Sequence, residues 1–162
     1  MPSMSMIRRI IPILSSPYLA LLLRLLVGTT FVFASVTKFP LHSQFVAIVK
    51  SYHLLPDPMA TAYALTLPWV ELIVGAYLLL GILVKPSAFV TILMGISFMV
   101  ANVSEAVRGE QYCGSCFGEA IPLLVSQALT IDIIIITTGL ILLMAKGKRQ
   151  ILGFDSWYSA LR

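Results

Sequence analysis

Charge is what this sequence has least of. Only 11% of its 162 residues are charged, against about a quarter in an average soluble domain, while 59% are hydrophobic and mean hydropathy is +0.96. That balance excludes an ordinary water-soluble globule and reads as an integral membrane protein. Histidine and cysteine are scarce as well, with two of each, which limits disulfide chemistry to a single pair and a metal centre to a single small ligand set. The sequence contains no phosphate-cradling glycine loop, nucleophile triad pattern, metalloprotease helix or dinucleotide-binding glycine pattern. Internal repeats and low-complexity tracts are absent too. The net charge of +4 comes from basic residues scattered singly and at the two ends, not from a basic face, so nucleic acid is not a partner.

What the chain does have is long apolar runs. Crossing a bilayer takes ~20 residues of helix, and four runs qualify: Tyr18 to Thr37, Met59 to Val84, Pro86 to Val107, and Pro122 to Ala145. Short connections between them imply an all-α, antiparallel four-transmembrane-helix bundle over residues 18–145. Gln44 to Tyr52 carries Phe45, Ile48, Val49 and Tyr52 at helical intervals, which predicts a short interfacial helix between spans one and two. In the first span Arg24, Gly28, Phe31 and Ser35 fall on one stripe, and that stripe is expected to face the bundle. Pro68 inside the second span predicts a kink near Ala64.

Orientation follows from the distribution of lysine and arginine. With both termini cytoplasmic, the inner side holds Arg8, Arg9, Lys85, Lys146, Lys148, Arg149 and Arg162, and the outer side only Lys38, Lys50 and Arg108. Residues 1–17 are expected to be a retained cytoplasmic segment, because Arg8-Arg9 is followed by no clean cleavage site. Residues 146–162 read as a cytoplasmic tail, with Trp157 and Tyr158 suited to the interface of a plasma (inner) membrane.

That orientation puts Arg108 to Glu119, the most polar loop of the chain, outside the membrane. The loop carries both cysteines as Cys113-Gly114-Ser115-Cys116. Two thiols at this spacing can form a small-ring disulfide, one attacking a partner's disulfide and the other resolving the mixed intermediate. Cys113 is expected to be the exposed attacking thiol and Cys116 the resolving one. Glu105 and Arg108 are candidate supports of the loop, and Arg108 is the nearby cation that could favour a thiolate. A static disulfide is the bland alternative, although closing so short a ring removes little chain entropy. Metal is a third reading, since His42 and His53 fall on the same side and zinc accepts two cysteines with two histidines.

Arg24, Glu71 and Asp132 are ionisable groups within apolar spans, where such residues face a partner or a cavity. The bland reading is an internal ion pair, Arg24 extending toward Glu71. The sharper one is a proton path or a polar pocket for a quinone head group.

Several of these residues together are familiar. Arg24 to Gly28, Lys38, Tyr52-His53-Leu54-Leu55-Pro56, Leu67-Pro68-Trp69-Val70-Glu71-Leu72, Arg108-Gly109 and Cys113-Gly114-Ser115-Cys116-Phe117-Gly118 resemble the MauE branch of the DoxX-like membrane proteins over roughly residues 20 to 145. The resemblance implies a four-helix membrane protein acting with a thioredoxin-like partner in maturing a disulfide-rich secreted protein. Its DoxX side implies an alternative, a non-catalytic accessory subunit of a larger, quinone-linked membrane complex. Cys113 and Cys116 are therefore the expected catalytic pair of a thiol-disulfide oxidoreductase, or of its membrane partner, with quinone a possible carrier.

Overall fold

The computed structural model describes residues 17–113 and 123–144. Four long helices, α1 (Pro17–Lys38), α3 (Asp57–Leu80), α4 (Val84–Val107) and α5 (Val125–Met144), alternate in direction, and the shorter α2 (His42–Ser51) lies between the first two. The four long ones have 22, 24, 24 and 20 residues, each enough for the ~20 that span a bilayer. The protein is an all-α, multi-pass membrane protein. Its outward surface agrees: Leu22, Leu26, Ile73, Phe89, Ile133 and Ile134 are all at least half exposed and form a lipid-facing belt.

Local chemistry sets the helix ends. Asp57 and Pro58 occupy the first turn of α3, where a carboxylate complements the helix dipole and proline has no hydrogen bond to lose. Gly81 ends that helix in the left-handed conformation at φ 69°, the usual glycine stop. α4 therefore begins at Val84, two residues before the expected Pro86, and Lys85-Pro86 lies in its first turn. Pro68 sits within an α3 that continues on both sides of it.

The bundle is two helix pairs set side by side. α1 packs along α3 and α4 along α5, while direct contact between α3 and α4 is thin. Between lipid-soluble surfaces the hydrophobic effect gives no drive to associate, so close van der Waals approach and polar contacts must hold helices together. Glycines provide that approach in both pairs. A Cβ on Gly28 would lie 3.0 Å from the Gly75 carbonyl oxygen and 2.8 Å from Leu79, and one on Gly139 would meet Ile92 at 2.6 Å and the Ala88 carbonyl at 3.2 Å.

The expected stripe of α1 does face inward, with Arg24, Gly28, Phe31 and Ser35 all buried. α2 departs from expectation in one respect. Phe45, Val49 and Tyr52, expected at the membrane surface, are 3%, 8% and 5% exposed because they turn down onto the bundle. A two-residue ladder, β1 (Tyr112–Cys113) with β2 (Leu123–Leu124), closes the neck of the loop between α4 and α5. Residues 1–16, 114–122 and 145–162, which include Cys116, the expected tail and all of the expected N-terminal segment except Pro17, lie outside the described residues.

Candidate functional site

The loop is built from the end of α4. The Glu105 carbonyl accepts from the backbone N–H groups of Arg108 (3.1 Å) and Glu110 (3.2 Å), and Gly109 takes φ 80° with open space around it. The chain then reverses into β1, whose register pairs Tyr112 with Leu124 and Cys113 with Leu123. Successive residues of a strand point to opposite faces, so one of the two must turn inward. Tyr112 is 59% exposed and Cys113 only 3%.

This overturns the expectation that Cys113 is exposed. Its sulfur is disulfide-bonded and lies 3.0 Å from Oδ1 of Asn102 on α4. The other cysteine of the chain, Cys116, is among the residues not described. Asn102 is 1% exposed, and its Nδ2 donates to Oδ2 of Asp132 on α5 at 2.6 Å. With Nδ2 committed to the carboxylate, Oδ1 is the atom turned to the sulfur. A disulfide sulfur carries no hydrogen, whereas a thiol in the same place has an S–H to donate to Oδ1. The amide contact therefore favours the reduced, protonated form of Cys113.

Asp132, Asn102 and Ile131 also line a central cavity of about 30 Å³, with Thr30, Phe31 and Glu71 from the other helix pair. The volume suits about one water molecule. Glu71 is wholly buried, and its Oε2 has no hydrogen-bond partner among the described residues.

Glu71 does not pair with Arg24. Its Oε1 accepts from Lys38 Nζ at 2.5 Å, with both side chains 1% exposed, and the Lys38 ammonium lies 5.2 Å and 5.3 Å from the ring centroids of Phe45 and Phe98. Arg24 instead donates from Nε to the Leu78 carbonyl at 3.0 Å, one of the last-turn carbonyls a helix leaves without an internal partner. Seven residues of helix separate Leu78 from Glu71, roughly 10 Å at ~1.5 Å per residue, which explains why one antiparallel register serves Arg24–Leu78 and Lys38–Glu71 but not Arg24–Glu71. Lys38, expected to end the first span and to count among the outer charges, is the buried counter-charge.

Arg108 is not placed as a thiolate activator either. Its guanidinium donates to the carbonyls of Ser51, at 2.7 Å, and Tyr52, tying the loop to the end of α2. Glu105 is buried at 6% and supports the loop through its backbone carbonyl. His42 contacts the Phe39 carbonyl at 3.4 Å, and His53 follows α2 with φ 50°. Among the described residues no group of three or more histidine, cysteine or acidic side chains is placed to hold a metal ion.

The structure thus links Cys113 through Asn102 to Asp132, which shares a cavity with Glu71, and Arg24 does not line that cavity. Sequence reading missed Asn102 and Lys38 as members. Asn102 stands three residues before Glu105, the spacing of a shared helix face, which was the available signal.

Comparison with known proteins adds a family. The family model described as "Methylamine utilisation protein MauE" matches residues 16–147. A relative from Paracoccus denitrificans, "Methylamine utilization protein MauE", is 29% identical over 136 residues, covering 83% of this chain and 72% of its own. No solved structure matches.

Proposed function

This chain belongs to the MauE family, and from that premise we propose that it carries out thiol-disulfide exchange outside the plasma membrane through Cys113 and Cys116. The observation that carries this reading is the placement of the Cys113 sulfur against a buried amide that can hold it as a thiol. Both termini are cytoplasmic in this proposal. The burial of Lys38 beside Glu71 removes one of the three outer charges and strengthens the positive-inside bias.

In the proposed exchange, a thiolate of a thioredoxin-like partner attacks the Cys116 sulfur. The Cys113–Cys116 bond breaks, a mixed disulfide forms, and Cys113 departs, taking a proton and donating its S–H to Asn102. The partner's second thiol then attacks the mixed disulfide and releases Cys116 as a thiol. Two electrons and two protons have passed from the partner's dithiol to this chain. The family's name connects it with methylamine utilisation, so the final client we propose is a secreted, disulfide-bearing protein of that process.

These roles separate the two cysteines. In the reverse of this exchange Cys116 attacks the disulfide of an oxidised thioredoxin-like partner and Cys113 then displaces it, so Cys113→Ser, mixed with the oxidised partner, accumulates a mixed disulfide through Cys116, while Cys116→Ser does not. Non-reducing gels with mass spectrometry of the adduct read the result. Equal trapping by both variants contradicts the assigned roles, and no trapping by either contradicts the exchange itself.

A further inference from the structure

A second, larger cavity lies on the loop side of the bundle, where α3 and α4 barely touch. It measures about 470 Å³, within the roughly 300–1,000 Å³ range of small-molecule sites. α2 roofs it with Phe45 and Val49, and Tyr52 at the C-cap of that helix and the turn residues Leu54 and Leu55 also line it. α3 and α4 supply Tyr63 and Ser97.

Those last two make the cavity more than a gap for lipid. The Tyr63 and Ser97 hydroxyls are hydrogen-bonded to each other across the α3–α4 seam. Two hydroxyls carry two protons, and their mutual bond engages one. The pair therefore presents one O–H to any acceptor that enters a largely apolar, ring-lined chamber. A saturated acyl chain has nothing to accept it, whereas a ring carbonyl does. The chamber also adjoins the cysteine site: Phe98 lines both cavities, and Ala101 on its wall precedes Asn102, which contacts the Cys113 sulfur.

We propose that this cavity seats the ring of a membrane quinone, with a ring carbonyl accepting from the Tyr63–Ser97 pair and the tail leading out to lipid. The proposal rests on the exchange reading above and supplies its missing half, the reoxidation of the reduced pair. Two S–H bonds break, the Cys113–Cys116 bond forms, and the two electrons and two protons pass to the quinone oxygens as hydroquinone.

The test uses the full chain in detergent, a photoreactive azidoquinone and a decyl benzoquinone. The azidoquinone is expected to label peptides containing Tyr63 or residues 97–101, with displacement by the decyl quinone and not by a saturated fatty acid. Tyr63→Phe should weaken quinone binding about five-fold, the size of one neutral hydrogen bond. Ala101→Trp, which fills the chamber, should abolish it while leaving helical content and elution volume unchanged. Labelling elsewhere, equal displacement by the fatty acid, or unaltered binding in both variants overturns the site. The cysteine reading is separated by Cys113→Ser, which should bind quinone normally and reduce none. Quinone binding without thiol-driven reduction in the unmodified chain sinks the exchange and keeps the site; partner oxidation without quinone binding does the reverse.

Discussion

The two helix pairs treat a buried carboxylate in opposite ways. In α1–α3, Glu71 faces the ammonium of Lys38 at 2.5 Å, and the charges cancel in place. In α4–α5, Asp132 accepts from the neutral amide of Asn102, whose other end touches the Cys113 sulfur. Both pairs are closed by glycine contacts, so the difference is not one of packing. It teaches that the first pair is a fixed clamp, whereas the second joins its carboxylate through Asn102 to the Cys113 sulfur.

The largest effect should come from breaking the clamp. Lys38→Met strands a buried carboxylate and should cost about 3–5 kcal/mol, while Lys38→Met with Glu71→Leu should recover most of that. Denaturation of the detergent-solubilised chain measures both. Asp132→Asn, which retains hydrogen-bonding capacity beside Asn102, should cost only about 1 kcal/mol. Equal losses in Lys38→Met and Asp132→Asn would erase the distinction between the pairs.

Next in size is the packing that the pairs share. Gly28→Leu drives a side chain into Leu79 and the Gly75 carbonyl and should cost about 1–3 kcal/mol. Gly95→Leu, whose added Cβ would meet Ile136 at 2.7 Å, should cost a similar amount. A much milder effect in α4–α5 would show that its seam is looser than that of α1–α3.

The smaller effects concern the cysteine. Asn102→Ala removes the acceptor of the Cys113 thiol and should disfavour reduction about five-fold, moving the potential roughly 20 mV more negative. Equilibration with a thiol redox buffer reads this directly, and a wholly structural Asn102 would leave the potential unmoved. The smallest is Arg108→Gln, which loosens an exposed tie to the Ser51 and Tyr52 carbonyls and should cost about 0.5 kcal/mol. Faster amide exchange just after α2 would report it.

How far sequence reading reached follows from the range of each interaction. The four spans were legible because apolar run length is a local property, and so was the buried stripe of Arg24, Gly28, Phe31 and Ser35. Gly81 and Pro58 marked helix ends by backbone preferences that need no tertiary context. The partners of the buried charges were not legible. Lys38 and Glu71 stand 33 residues apart, and only the register of α1 on α3 decides that Glu71 meets Lys38 and not Arg24. Cys113 was misjudged for a related reason. Its exposure depends on one ladder of two residue pairs, and a one-residue slip would turn Tyr112 inward instead.

The most direct test of the account is chemical access to the cysteines from outside the cytoplasm. Intact cells, with any outer envelope layer opened, are reduced mildly and treated with a membrane-impermeant maleimide. The account predicts labelling at Cys116, slower labelling at the buried Cys113, and none without prior reduction. Protection of both cysteines until the membrane itself is breached would place them on the cytoplasmic side and contradict the proposed exchange.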